Sequence, residues 1–226
     1  MIAIISDIHG NFPALQAVLS EIDRIGCNTI FSLGDVAGYY CMINECIEEL
    51  RNRGIINILG NHDTYLLGKG YCPRSVTANQ CIEYQKSIIS DENLRYLEES
   101  EMKMDNELLS VRHGGWTNPV DEYIEHFDFN IAKNFSAKIF ASGHTHIQKL
   151  EKLDEIIYFN PGAVGQPRDN DPRAGFAIID DNYNVQLCKI KYNIDKIVEV
   201  MRKVGFEDRI AECLYKGNKI RAYKTC

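Results

Sequence analysis

No stretch of this 226-residue sequence approaches the roughly 18 consecutive apolar residues of a membrane-spanning helix, so no membrane role is expected. It also lacks a Cys-x-x-Cys pair. The eight cysteines, Cys27, Cys41, Cys46, Cys72, Cys81, Cys188, Cys213 and Cys226, are scattered, which argues against a zinc knuckle or a redox dithiol. They are too few for a disulfide scaffold, and reduced thiols in a cytoplasmic setting are the expectation. The opening Met1-Ile2-Ala3-Ile4-Ile5 runs straight into Ser6-Asp7 without the basic residues of a secretory leader. Basic residues are outnumbered 25 to 32, and the net charge of −7 argues against a nucleic-acid partner. Repeats, low-complexity tracts and linkers are missing too, so 1–226 reads as a single domain. Histidine is scarce, at six residues, and where those six fall carries most of the information.

What is present is an alternation of strand and helix. Ile2 to Ile5 is a short β-branched run that stops at Ser6-Asp7-Ile8-His9-Gly10. Asn11 then caps a helix with Pro13 in its first turn and Leu15, Val18, Leu19, Ile22 and Ile25 at helical spacing, before Gly26 ends it. The unit recurs with a strand from Thr29 to Leu33 before Gly34-Asp35, a helix over about Ile43 to Arg53, and a strand from Ile55 to Leu59 before Gly60-Asn61-His62-Asp63. Strand and helix in alternation predict an α/β fold with parallel neighbours. The rhythm then changes: residues 64–110, with helices over Val76 to Ile89 and Glu92 to Glu99, read as a helical cap insertion. Later strands are expected at Glu101 to Met104, Glu107 to Val111, Lys138 to Ala141, Ile147 to Leu153, Ile156 to Phe159, Gly175 to Ile179 and Val185 to Ile190. Residues 193–226 are expected to form a helical extension with a basic tail of Lys216, Lys219, Arg221 and Lys224.

Five apolar strands end in a short polar group: Asp7 and His9, Asp35, Asn61 and His62, His113, and His144 with His146. The carboxyl ends of strands in an open α/β sheet form one rim, so these side chains can converge across about 140 residues of sequence. All the histidines but His126 fall there, and His126 reads as a partly buried helix or loop residue. Four imidazoles, two carboxylates and an amide oxygen are too many ligands for one tetrahedral ion and suit two divalent ions sharing a carboxylate. Such a pair leaves a net positive field, attracts an anion, and clamps both oxygens of an in-line displacement at phosphorus. Imidazole favours manganese, iron, zinc, nickel or cobalt over magnesium, with manganese the first choice.

The series Asp7-Ile8-His9, Gly34-Asp35, Gly60-Asn61-His62-Asp63, His113-Gly114 and Gly143-His144-Thr145-His146 resembles the calcineurin-like metallophosphoesterases over residues 2 to about 180. The segment Asn160 to Arg168 is similar to the one that follows the last metal motif in their small bacterial and archaeal, phosphodiesterase-like branch. The resemblance implies a four-layer α/β/β/α sandwich of two mixed sheets. It implies one ion on Asp7, His9, Asp35 and His146, another on Asp35, Asn61, His113 and His144, and His62 as a catalytic histidine that is not a ligand. The expected activity is hydrolysis of a phosphodiester or nucleotide-type ester by in-line attack of a metal-bridging hydroxide. The alternatives are a non-catalytic metal-binding scaffold, a phosphomonoesterase or a diadenosine polyphosphate hydrolase. Asp63 is expected either to orient His62 or to cap the following helix. Arg168 is expected either to grip phosphate or to form a surface salt bridge. Gly34-Asp35-Val36-Ala37-Gly38-Tyr39-Tyr40 departs from the runs of the protein phosphatases and diadenosine tetraphosphatases, and Tyr39 and Tyr40 either pack or stack an aryl group. Homodimerisation is open.

Overall fold

The computed structural model describes residues 1–220; Arg221 and Lys224 of the basic tail, and Cys226, lie outside the described residues. The elements run β1 (Ile2–Ile5), α1 (Phe12–Ile25), β2 (Thr29–Ser32), α2 (Ile43–Asn52), β3 (Ile56–Asn57), α3 (Asn61–Leu66), α4 (Val76–Ile88), α5 (Asp91–Glu98), β4 (Lys103–Asp105) and β5 (Leu109–Arg112). After a 3-10 turn at Ile131–Asn134 come β6 (Ile139–Ala141), β7 (Lys149–Leu153), β8 (Ile156–Asn160), β9 (Ala174–Ile179), β10 (Val185–Ile190), α6 (Ile194–Lys203) and α7 (Asp208–Lys216). Two five-stranded sheets result, ordered β10-β9-β1-β2-β3 and β4-β5-β6-β8-β7. Both are mixed: β1, β2 and β3 run parallel, as do β5, β6 and β8, while β9 pairs antiparallel with β1 and β10, β4 with β5 and β7 with β8.

The period of two along each strand sorts side chains between layers. In β1, Ile4 joins Phe31, Val111, Ile139 and Phe159 between the sheets, whereas Ala3 and Ile5 face the helices. The stripe of Leu15, Val18, Leu19 and Ile22 on α1 is fully buried against them, each side chain worth roughly 1.5–3 kcal/mol. Asn11 Oδ1 accepts from the Ala14 N–H at 3.3 Å, and Gly26 ends the helix in a left-handed conformation, φ 86°. The far face of the second sheet is covered differently: Phe140 and Tyr158 pack under Trp116, Phe127 and Ala132, so the fourth layer is an aromatic loop with one 3-10 turn.

The structure changes several boundaries. The strand expected from Ile55 to Leu59 is only two residues long, because Ile58 pairs with Glu101 and the Leu59 N–H goes to Glu101 O at 2.7 Å, which takes the chain out of the sheet toward Gly60. The strand expected from Glu107 begins at Leu109, because Asn106 Oδ1 accepts from Leu108 and Leu109 N–H and holds the turn. Segment 64–110 shares the main core through Leu66, Ala78, Cys81, Ile82 and Leu97. From α4, the Gln85 side chain accepts from the Gly38 N–H and donates to the Gly38 and Tyr40 carbonyls at 2.6–3.1 Å. No helix among the described residues is long and apolar enough to cross a membrane.

The neighbouring strands β2 and β3 of the first sheet end so close together that one backbone contact tests the design. Gly34 (φ 87°) follows β2, and a Cβ there would lie 2.4 Å from the Gly60 amide nitrogen; Gly26 has the same φ with open space around it. Gly26→Ala is expected to cost about 1 kcal/mol, and Gly34→Ala about 3 kcal/mol, or roughly 6–12 °C in Tm. Equal losses for the two variants in urea unfolding would show that the close approach has no energetic weight.

Candidate metal centre

The polar groups at the strand ends meet at one rim because the connecting loops interlock. Asp7 N–H donates to Gly34 O, His9 N–H to Asp35 O, Gly143 N–H to His113 O and Gly165 N–H to Asp7 O, all at 2.8–3.0 Å. Asp7, His9, Asp35, His144 and His146 all have φ between 52° and 66°. They are five of nine non-glycine residues in the left-handed region among the described residues, a conformation that costs of order 1–3 kcal/mol each. That turn at each strand end directs the side chain into the rim.

Asp7, His9, Asp35 and His146 offer ligand atoms within 4.8 Å of one another, and so do Asp35, His113 and His144; Asp35 belongs to both groups. Asn61 joins the second, its Oδ1 lying 3.1 Å from His113 Nε2. The proton positions on three of the imidazoles are determined by carbonyls, which can only accept. His9 Nδ1 donates to Ala37 O at 2.7 Å, His113 Nδ1 to Leu33 O at 2.8 Å and His146 Nδ1 to Gln166 O at 2.6 Å. In the neutral ring each Nε2 is then a lone pair. His9 Nε2 faces His146 Nε2 at 3.1 Å, His146 Nε2 faces Asp7 Oδ1 at 3.1 Å, and His113 Nε2 faces Asp35 Oδ2 at 3.3 Å. Asp7 Oδ1 and Asp35 Oδ2 are buried without a hydrogen-bond donor. Acceptors facing acceptors in a buried site are repulsive unless a cation lies among them, so this donor set of nitrogen and oxygen fits two divalent ions.

Burial pushes His9 and His146 below the ordinary imidazole range and, with His113 nearby, takes His144 down to about 2, which keeps all three neutral as ligands must be. Burial works against a charge on His113 as well, but the Asp35 carboxylate outweighs it and raises His113 to about 9. A proton and a metal ion therefore compete for His113 Nε2.

The other expected residues divide. His62 is buried beside the rim, its ring 5.0 Å from His9 and 4.8 Å from Tyr39, with Nδ1 lacking a partner. Burial lowers it to about 4. Its backbone N–H donates to Asp35 Oδ1 at 2.8 Å and so fixes the shared carboxylate. Asp63 does not orient His62. Its carboxylate accepts from the Asp35, Ala37 and Gly60 N–H groups at 2.8–2.9 Å, caps α3, and holds the Asp35 loop instead. Burial and the charge of Asp35 push it up to about 7 despite those three donors.

Arg168 forms no surface salt bridge. Nε and Nη2 donate to Gln166 Oε1, and Nη2 also reaches the Tyr39 hydroxyl at 3.2 Å, with no carboxylate in ion-pair range among the described residues. It lines a pocket of about 550 Å³ together with Asp35, Asn61, His62 and His144. Tyr40 is fully buried, its hydroxyl accepting from Gln166 Nε2, and so packs; Tyr39 is buried edge-on against His9 at 4.7 Å with φ 51° and borders the pocket. His126 is exposed in a loop beside Glu151, not partly buried. Gln166, Arg74, Asp121 and Tyr123 also border the site. Sequence reasoning passed over them because they lie in loops with no strand end to flag them; the Gly114-Gly115 pair was the available signal for a tight loop beside His113.

A family model for the calcineurin-like phosphoesterase superfamily domain matches residues 1–183. An uncharacterized protein of Methanocaldococcus jannaschii is 32% identical over 96% of this chain and 98% of its own length. Phosphodiesterase YfcE of Escherichia coli is 25% identical over 78% of this chain and 85% of its own. The crystal structure of a metallophosphoesterase from Sphaerobacter thermophilus superposes with a TM-score of 0.82 at 32% identity, covering 96% of this chain and 98% of that one. A hypothetical protein from Pyrococcus horikoshii shares the fold, with a TM-score of 0.84 at 20% identity over 97% and 100% of the two chains. The rim of buried imidazoles and carboxylates and the extent of these matches agree: the chain belongs to the calcineurin-like phosphoesterase superfamily.

Proposed function

We propose that the protein is a dinuclear-metal-dependent phosphoesterase that hydrolyses a small phosphate ester of phosphodiester or nucleotide type. The observation that carries this reading is the set of lone pairs facing one another in two groups joined by Asp35. Asp7, His9, Asp35 and His146 would hold one ion and Asp35, Asn61, His113 and His144 the other. Divalent ions supply polarisation of phosphoryl oxygens and activation of water. The mixed imidazole and carboxylate set suits manganese, iron, zinc, nickel or cobalt over magnesium, and manganese is the choice proposed.

The chain's own groups do the rest. Arg168 is preorganised by Gln166 and Tyr39, and its remaining N–H edge can grip a non-bridging phosphate oxygen. His62, neutral beside the rim with Nδ1 unpartnered, is placed to hydrogen-bond the phosphoryl or leaving oxygen and so stabilise the charge that develops there. Asp63 keeps the Asp35 loop in register through three backbone donors. A pocket of about 550 Å³ is in the range of small-molecule sites, and similarity to a protein named as a phosphodiesterase supports the ester type. A cytoplasmic setting accords with seven described cysteines that are all free.

His62→Asn is expected to lower kcat by about 10²–10⁴-fold while elemental analysis still finds two ions per chain; wild-type turnover would remove His62 from the mechanism. Metal ions at about 100 times their Kd should stabilise the chelator-treated protein by about 2.7 kcal/mol per site, or roughly 5–10 °C in Tm. Asp35→Asn should abolish most of that shift. Identical melting with and without the ions would refute the centre.

A further inference from the structure

Backbone carbonyls hold His9, His113 and His146, but not His144. His144 Nδ1 lies 3.2 Å from His113 Nε2, on the side of Asp35. A neutral imidazole that offers Nδ1 as its lone pair carries its proton on Nε2, and here Nε2 is a buried donor with no hydrogen-bond acceptor. The carboxylate facing it is Asp121, whose Oδ1 lies 3.4 Å away. The same carboxylate is gripped by Arg74, with Nη1 3.1 Å from Oδ2 and Nη2 on Oδ1. Arg74 lines the pocket and lies over the ring of Tyr123 at 5.4 Å, and that ring lies 4.1 Å from His144.

The loop that presents Asp121 is internally braced. It leaves the ligand His113 through Gly114 and Gly115, whose N–H groups donate to Pro119 O and Asn118 O at 2.7 and 3.0 Å. Asn118 Oδ1 accepts from the Asp121 N–H at 3.2 Å, and Glu122 Oε2 accepts from the Thr117 and Asn118 N–H groups at 2.8 and 3.0 Å. A Cβ at Gly114 would lie 2.6 Å from the Glu122 amide nitrogen and 2.8 Å from Asn118 O, so the turn closes around glycine there. The chain that carries one ligand therefore folds straight back to support another.

We propose that Asp121 is a positioning residue of the centre: it holds the His144 ring through Nε2 and, with the same carboxylate, holds Arg74 at the substrate side of the pocket. The first role keeps the His144 proton on Nε2 and makes Nδ1 a better ligand. The second fixes a guanidinium whose remaining edge faces anionic oxygens of the substrate. This role rests on the metal-centre reading above, and its main test does not depend on turnover.

Manganese affinity is measured by chelator competition on the wild type and on Asp121→Asn, Asp121→Ala and Arg74→Met. Both Asp121 variants are expected to lose about 10–100-fold in affinity for one ion, with the other unchanged. Asp121→Glu, which keeps the charge, recovers part of that loss. Arg74→Met keeps wild-type affinity for both ions and raises KM for an aryl phosphodiester about tenfold, with kcat changed less than about threefold. If the pair only staples two loops, Asp121→Asn and Arg74→Met lower Tm alike and leave both metal affinities at the wild-type value, which overturns the role. Arg74→Met weakening metal binding as much as Asp121→Asn also overturns it. A wild type that binds fewer than two ions removes the centre and this role together. Two bound ions, one of them weakened by Asp121→Asn, with no ester hydrolysed, support the role and remove the functional reading alone.

Discussion

Lone pairs of His9, His146 and Asp7 that face one another across 3.1 Å, with no proton between them, are the constraint around which this protein is built. Left to relax, the rings would turn away. They are prevented because His9, His113 and His146 are each tied through Nδ1 to a backbone carbonyl, two of them (Leu33 and Ala37) in the loop after β2 and one (Gln166) in the loop after β8. The carbonyl of Leu33 ends one strand and receives a ring from the other sheet, so the sheet-to-sheet packing and the ligand geometry are one constraint. The buried layer of Ile4, Leu33, Val111 and Phe159 thus sets the separation of the two ligand groups as well as the stability of the sandwich.

The same logic explains where strain is concentrated. Five candidate ligands and Tyr39 sit at positive φ, and the cost is carried by interlocking backbone hydrogen bonds and by Asp63, a buried carboxylate with three N–H donors. Asp63 touches no reacting group, yet it sets where Asp35 points. The shared carboxylate is thereby held from two sides, by its own loop through Asp63 and by the His62 N–H at its Oδ1.

The alternation of apolar strands and amphipathic helices was legible in the sequence, because period-two and period-3.6 patterns are local. The ligand set was legible for a related reason: Asp7, His9, Asp35, His113, His144 and His146 all interrupt apolar runs at strand ends. What escaped is long-range. Nothing near Asp63 says that its partners are the Asp35 and Ala37 amides; the local pattern supports a helix cap and an imidazole partner equally. The short β3 depends on Glu101, more than forty residues away, taking the Leu59 N–H. The outer cover of the second sheet escaped because Trp116, Phe127 and Ala132 form a layer without a helix, and periodicity has nothing to register there.

The left-handed strand ends have one more consequence, for when the protein becomes competent. Asp7 leaves the ribosome early, His146 and the Gln166 carbonyl that holds it much later; the first group is whole only when the ends of β1, β2 and β6 meet, the second when those of β2, β5 and β6 do. A nascent or truncated chain therefore offers single imidazoles and carboxylates, which bind divalent ions weakly and without selectivity. Both candidate groups are complete only once the chain has been made through Gln166 and the two sheets have met, so the site is a property of the assembled sandwich and not of any one strand end.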